Sequence, residues 1–309
     1  MSRDANGRRL ARRRFPRPGT VDLSSRAERF AVMHNLLRDK AALAGIIFLS
    51  ALLVATLSAT WVLPLDAAAQ SADVLRGPSL QHWLGTDEFG RDLGTRLIVG
   101  ARVSLEVGFG SAVFAAVIGV TTGLVAGYLG GWWDAVPMRI MDVALALPDV
   151  VLALVIVAAL GNTNLNLVIA IGIAFIPIFA RVTRAAVLTV RERAYVQASK
   201  AMGAGSTDTM FRTILPNVLG PVIVQFAITA AVAIVVSAAL GFLGLGPAAP
   251  APSWGGMLQT AKSYLYQNPW YAVFPGVALM LTVLCLDRLG NSLRVAMGIQ
   301  TTETAKAAR

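Results

Sequence analysis

The chain has 309 residues, of which 56% are hydrophobic and only 14% charged, and its mean hydropathy is +0.64. So few charges cannot cover a water-soluble globule of this size, which favours a membrane protein. The net charge of +10 gathers between the apolar runs rather than on a nucleic-acid-binding surface, and the single cysteine, Cys285, excludes a disulfide framework or thiolate metal site.

Residues 1–40 form a basic head rich in Arg, Gly and Pro. The first apolar run, Ala41–Leu63, exceeds the ~7–15 residues of an export signal, so a retained anchor is expected. A bilayer core of about 30 Å takes about 20 helical residues. Five further runs qualify: Val103–Leu129, Val136–Leu160, Leu165–Ala180, Val218–Leu245 and Trp270–Leu289. Backbone groups in lipid must bond internally, so all six are expected to be helices. The fold class is an all-α polytopic membrane protein with six transmembrane helices.

The expected organisation is a tail at 1–40, an anchor at 41–63, a loop at 64–101, a core at 102–294 and a tail at 295–309. Of the 27 Lys and Arg residues, 22 lie in 1–40, 130–139, 181–216 and 288–309. The positive-inside rule places those segments, and both termini, in the cytoplasm. The loops at 64–101 and 246–269 then face outward.

No catalytic constellation is present. The sequence lacks His-Glu-x-x-His and a phosphate-binding Gly-rich loop, and His34 and His82 lie far apart outside the runs. The chemistry instead sits in a polar, basic island at 194–217, between two apolar runs. Tyr195, Ala198 and Met202 recur at helical spacing, with Thr209 or Met210 expected on the same face. Small residues at Ala198, Ser199 and Ala201 admit close approach of a partner. Gly203 and Gly205 permit a bend, and Pro216 suits a helix start. Two short helices at an angle, lying along the cytoplasmic face, are expected.

Inside the runs, Glu106, Asp142 and Asp149 are costly in hydrocarbon and should face the bundle interior, water or a cationic partner. Asp142 and Asp149 are seven residues apart, which on one straight helix gives nearly one face. They and Glu106 are candidates for the path or its gate. Arg139 or Arg181 could instead pair with Asp142. On the outward side, Asp87, Glu88, Arg91 and Asp92 form a dense charge cluster ahead of the second run. They and Trp254 are candidates for partner contact, with local ion pairing and helix capping as the alternative. Trp83, Trp254 and Trp270 suit an aromatic belt.

The island resembles the cytoplasmic loop of binding-protein-dependent importers of the ATP-binding-cassette superfamily. That loop reads Glu-Ala-Ala, three residues, Gly, nine residues, Ile, one residue, Leu-Pro. Here Gln197-Ala198-Ser199 precede Gly203, and Thr213-Ile214-Leu215-Pro216 follow. The segments His82 to Asp92, Gly100 to Leu105, Phe242 to Gly246, Pro252 to Gly255 and Pro269 to Gly276 are similar to the "C" member of dipeptide and oligopeptide permease heterodimers. Gly290-Asn291-Ser292-Leu293-Arg294 departs from that group's usual Gly-Asp-Gly-Leu-Arg.

The resemblance implies the type I permease fold of these importers. It also implies that Tyr195, Gln197, Ala198, Ser199, Met202, Gly203, Leu215 and Pro216 dock a separate ATPase. The implied partners are a second permease subunit, two ATP-binding subunits that hold ATP and Mg, a solute-binding protein and peptide cargo in the bilayer. No cofactor or metal is expected on this chain, and no nucleic acid. Relatives that carry nickel chelates, heme or other small solutes keep those cargoes open. An ion-coupled secondary transporter and a non-transporting scaffold or receptor are the rivals from other classes.

Overall fold

The apolar runs fold as helices whose ends depart from the limits of the apolar stretches. The computed structural model describes residues 39–61, 65–247 and 250–297. The expected basic head over residues 1–38 and the tail beyond 297 lie outside the described residues, as does the end of the first run at Leu63. In chain order the helices are α1 (Lys40–Trp61), α2 (Leu93–Leu129), α3 (Trp132–Leu145), α4 (Asp149–Leu160), α5 (Asn164–Val190), α6 (Ala194–Ala201), α7 (Ser206–Leu245), α8 (Trp254–Ala261) and α9 (Trp270–Ala296). The one β feature among the described residues is an isolated bridge between Thr86 and Asp92.

Several helices outrun their apolar stretches. Asp92 caps α2 by accepting from the Thr95 N–H at 2.7 Å, so the helix begins at Leu93 rather than Val103. Its 37 residues span about 55 Å, well beyond a hydrocarbon core. α5, capped by Thr163, continues through Arg181 and Arg184 to Val190. α9 likewise continues to Ala296. Charged residues end a membrane-compatible stretch without ending a helix.

The third run is broken. α3 and α4 meet at 92° across residues 146–148. Pro148 holds φ −56° and ψ 133° at the N-terminus of α4, and a proline disfavours helical geometry in the residue before it. The spacing of Asp142 and Asp149 therefore does not put them on one helix face, and that expectation is corrected. Among the described residues there are thus five helices long and apolar enough to cross a membrane, and six spans if the bent pair counts as one.

The island is also simpler than expected. Only α6 is a separate short helix. From Ser206 the chain enters α7 directly, through a π-helical stretch at Thr209–Ile214. There the Leu215 N–H reaches back to the Met210 carbonyl, a wider turn just ahead of Pro216, which has no N–H to donate.

The spans pack as a bundle with two ends. One end carries α6 and the starts of α3 and α7. The other carries the 65–92 loop and α8. Buried side chains of α2, α4, α5 and α7 form the central layer, including Val107, Ala115, Val157, Ile171, Phe175, Phe179 and Val236. α1 and α9 lie outside this layer. Only 17% of the apolar window of each is buried, against 50% for α5 and α7.

α2 and α5 make the closest approach. Gly119, Gly123 and Gly127 recur every fourth residue on α2, a small-residue stripe that lets helix backbones meet. A Cβ on Gly123 would lie 2.4 Å from the Ala180 carbonyl oxygen and 2.8 Å from Thr183 Cβ. Gly123→Ala is therefore expected to destabilise the chain by about 1–3 kcal/mol through overpacking. Gly276→Ala on α9, where nothing lies within 4 Å, should leave the midpoint unchanged or slightly raised. Thermal unfolding of the purified variants in detergent checks the pair.

Candidate functional site

α6 is held from below and open above. Val196, the one branched aliphatic residue in the helix, is fully buried. It joins a cluster of Leu124 from α2, Val187 and Val190 from α5, and Met210, Ile214 and Val218 from α7. Tyr195, Gln197, Ala198, Met202 and Gly203 face outward, with Met202 82% exposed. Ser199 is half-buried. Leu215 is half-buried on the edge of the same cluster, and Pro216 is exposed. Thr209 and Met210 are buried, so neither shares the exposed face of Tyr195, Ala198 and Met202, contrary to expectation.

The end of α6 is shaped by its backbone. The Gly203 N–H bonds the Lys200 carbonyl at 2.9 Å and the Ala204 N–H bonds the Ser199 carbonyl at 3.2 Å. Gly203 takes φ +87°, a left-handed cap that other residues adopt with strain. Lys200 lies over the Tyr128 ring at 4.8 Å, and Gln197 Nε2 donates to the Arg191 carbonyl at 3.2 Å. Arg191 Nη1 donates to the Gly127 carbonyl at 2.8 Å, tying the approach to α6 to the end of α2. The result is a firm platform with a small, largely uncharged upper surface. It offers shape for docking and no group for bond-breaking chemistry.

Sequence reasoning missed the anchors Val196, Met210 and Ile214. A lone branched aliphatic in a polar eight-residue helix is the signal that would have found the first.

The carboxylates inside and beside the apolar runs are mostly paired. Arg181 Nη2 donates to Asp142 Oδ1 at 2.5 Å, and Arg184 reaches both oxygens of Asp134 at 2.5 and 2.6 Å. Two bridges thus join α3 to α5, and pairing is what makes such charges tolerable near lipid. Glu106 accepts from Arg102 Nε at 2.6 Å one turn away. Asp149 accepts from the Val150 N–H at the start of α4 and is half-buried.

The outward charge cluster is a knot inside the loop. Asp87 is fully buried. Its Oδ1 accepts from the Phe89 and Arg91 N–H groups at 2.8 and 2.9 Å, and its Oδ2 from Arg91 Nε at 2.6 Å. Arg96 Nε lies 3.2 Å from the same oxygen but outside hydrogen-bonding geometry, so that approach is a charge contact. Glu88 accepts from Arg91 Nη2 and from the Tyr271 hydroxyl, both at 2.8 Å, linking the loop to α9. Asp92 caps α2 and pairs with His82 Nδ1 at 3.0 Å. Trp254 is fully buried, its indole N–H donating to the Leu97 carbonyl at 3.0 Å. The structure therefore places Asp87, Arg91 and Trp254 in the interior of this end, with Phe89 exposed above them.

At the opposite end, the Ser292 hydroxyl bonds Asp39 Oδ2 and pins α9 to the start of α1. That bond, with the Ala41 N–H, holds the Asp39 carboxyl below its usual range. The departure at Asn291-Ser292 thus builds its own local contact, with Asn291 Nδ2 bonding Asp287 at 3.2 Å. Among the described residues, no group of three or more His, Cys, Asp or Glu is placed to hold a metal.

Comparison with known proteins adds to this geometry. Residues 119–296 match the family "Binding-protein-dependent transport system inner membrane component". The chain is 43% identical over 264 residues to the "Dipeptide transport system permease protein DppC" of Alkalihalophilus pseudofirmus, covering 85% of this chain and 87% of that protein. It is 43% identical to the "Di/tripeptide transport system permease protein DppC" of Pseudomonas aeruginosa, covering 84% and 88%. It is 40% identical to the "Glutathione transport system permease protein GsiD" of Pectobacterium atrosepticum, covering 85% and 88%. Among solved structures, an inward-facing form of the MetNI methionine ABC transporter aligns with a TM-score of 0.52 at 21% identity, covering 67% of this chain and 97% of that one. That likeness supports the fold alone.

Proposed function

This chain belongs to the binding-protein-dependent transport inner membrane family, and on that premise we propose that it forms half of an import path for short peptides. It is a non-catalytic permease subunit of an ATP-binding-cassette importer, which sets aside the ion-coupled and scaffold alternatives. A second permease completes the path, two ATPase subunits hold ATP and Mg, and a solute-binding protein delivers cargo from outside. Both termini and α6 face the cytoplasm, as the distribution of Lys and Arg supports. Di- and tripeptides or glutathione-like molecules are the cargo that the named relatives support. The buried bundle residues are apolar, which suits tolerance of varied side chains and leaves selection to the binding protein.

The observation that carries this reading is the α6 platform. Its outer surface is open while Val196, Met210 and Ile214 lock it to three spans. From Ser206, α7 runs on as a helix to Leu243, next to the left-handed Gly244, so a push on α6 and Gly203 is delivered along a helix that crosses the membrane. Nucleotide binding on the ATPases then shifts the permease between outward and inward openings by differential affinity for the two. A photo-crosslinking amino acid at Met202 in the assembled complex is expected to capture the ATPase subunit, with a yield that changes on adding ATP. Capture of lipid or of the solute-binding protein alone would refute the assignment.

A further inference from the structure

We infer that the turn at residues 79–83 is a membrane-surface anchor, with Leu80 and Trp83 seated where the lipid headgroups meet the acyl chains, beside the start of α9. This rests on the membrane placement proposed above and adds a lipid contact to it. The turn is built rather than loose. The Ser79 N–H bonds the His82 carbonyl at 2.8 Å, and the His82 N–H bonds Ser79 Oγ at 3.0 Å. That closure leaves Leu80 97% and Trp83 81% exposed.

The height of the turn follows from its neighbours. Asn268 Nδ2 donates to the Arg76 carbonyl at 3.2 Å and the Thr86 carbonyl at 3.1 Å, gripping both stems of the segment. A Cβ on Gly77 would lie 3.8 Å from Trp270 Cδ1. On α9 the charges Asp287 and Arg288 mark one boundary of the hydrocarbon. Trp270 lies about 17 residues earlier, about 26 Å along the same helix, which is close to the thickness of a hydrocarbon core. The base of the turn therefore sits at the opposite boundary, where tryptophan is favoured. Trp270 stacks on Phe274 with centroids 5.6 Å apart, and the neighbouring Tyr266 is fully exposed near the same level.

The side also follows. α1 and α9 are the least buried spans, and Trp270, Val273 and Val277 are each more than two-fifths exposed. This flank looks away from the central helices and toward lipid. A soluble binding protein delivering cargo would meet the mouth above α2, α5 and α7 instead. Anchoring here would hold the loop at a fixed height, and the His82–Asp92 contact would pass that constraint to the cap of α2.

The test uses the assembled transporter in liposomes. Leu80→Cys in a Cys285→Ala background carries a nitroxide, and its collisions with dissolved oxygen and with a water-soluble nickel chelate are compared by power-saturation spectroscopy. The expected result is oxygen access several-fold above nickel access. Nickel access equal to or above oxygen access would overturn the anchor. So would a label shielded from both and released when the binding protein is withdrawn, which would mark a protein contact. A companion measurement keeps Cys285: brominated lipid should quench Trp emission more in the native chain than in Trp83→Phe, and equal quenching would overturn the anchor. Neither readout uses cargo or ATP, so failure here is distinct from failure of the transport reading.

Discussion

Asp87→Ala is expected to destabilise the chain by about 3–5 kcal/mol, the cost of removing one partner from a buried ion pair. Asp87 has no exposed surface, and it serves two backbone N–H groups and the Arg91 guanidinium, with Arg96 beside it. Alanine leaves those donors buried with no acceptor in place. The damage would spread along the bonds already described. Arg91 also holds Glu88, and Glu88 holds Tyr271, so the loop would loosen from α9 as well as from α2. Asp87→Asn keeps an acceptor for the two N–H groups but turns an amide toward Arg91, so a smaller loss of the same sign is expected. Thermal unfolding of purified protein, with the amount of folded permease recovered from membranes, measures both. A midpoint unchanged in Asp87→Ala would mean that the knot carries no stability.

The acidic and basic residues of this knot were plain in the sequence, but their burial was not. Reading Asp87, Glu88, Arg91 and Asp92 as a surface for partners rests on the general exposure of charge. Two features favour the local pairing and capping that the sequence left open beside it. Gly85 and Gly90 bring the chain against the Arg76 and Ser71 carbonyls, where a Cβ would come within 2.4 and 2.1 Å. Tyr271, which bonds Glu88, is 183 residues away. Nothing local announces a partner at that distance.

Hydropathy located the spans because lipid imposes a length on apolar sequence, but it was a poor guide to helix ends. Arg181 and Arg184 close an apolar stretch, yet they extend α5 and pair with Asp142 and Asp134. The break between α3 and α4 was legible at Pro148 and was overridden by the apolar residues on either side of it. The Gly119, Gly123 and Gly127 spacing was also visible, but only the placement of α5 shows what the missing side chains admit. The island stood out because polarity between apolar runs is conspicuous. Its anchoring required knowing that Val196 points down.

Gly203→Leu is expected to lower ATP-driven peptide uptake at least tenfold while the permease still inserts and assembles with its partner subunit. The separation follows from the surroundings of Gly203. Nothing lies within 4 Å of a Cβ built there, so a side chain can leave the backbone at this point without a clash. The left-handed backbone costs a non-glycine residue roughly 1–2 kcal/mol, which falls on the last turn of α6 rather than on the bundle. The added side chain projects from the exposed surface proposed to seat the ATPase. There a misfit of about 1.4 kcal/mol already changes affinity tenfold. Asparagine tolerates the left-handed cap better than most residues and alanine adds the smallest side chain, so Gly203→Asn and Gly203→Ala should each retain more transport than Gly203→Leu. Uptake of labelled dipeptide into proteoliposomes, normalised to inserted permease, ranks the three. Wild-type uptake by the leucine variant would remove α6 from the coupling pathway. Equal losses in the alanine and leucine variants with a smaller one in asparagine would assign Gly203 to backbone geometry alone, and a loss that grows from alanine through asparagine to leucine would assign it to the shape of the docking surface.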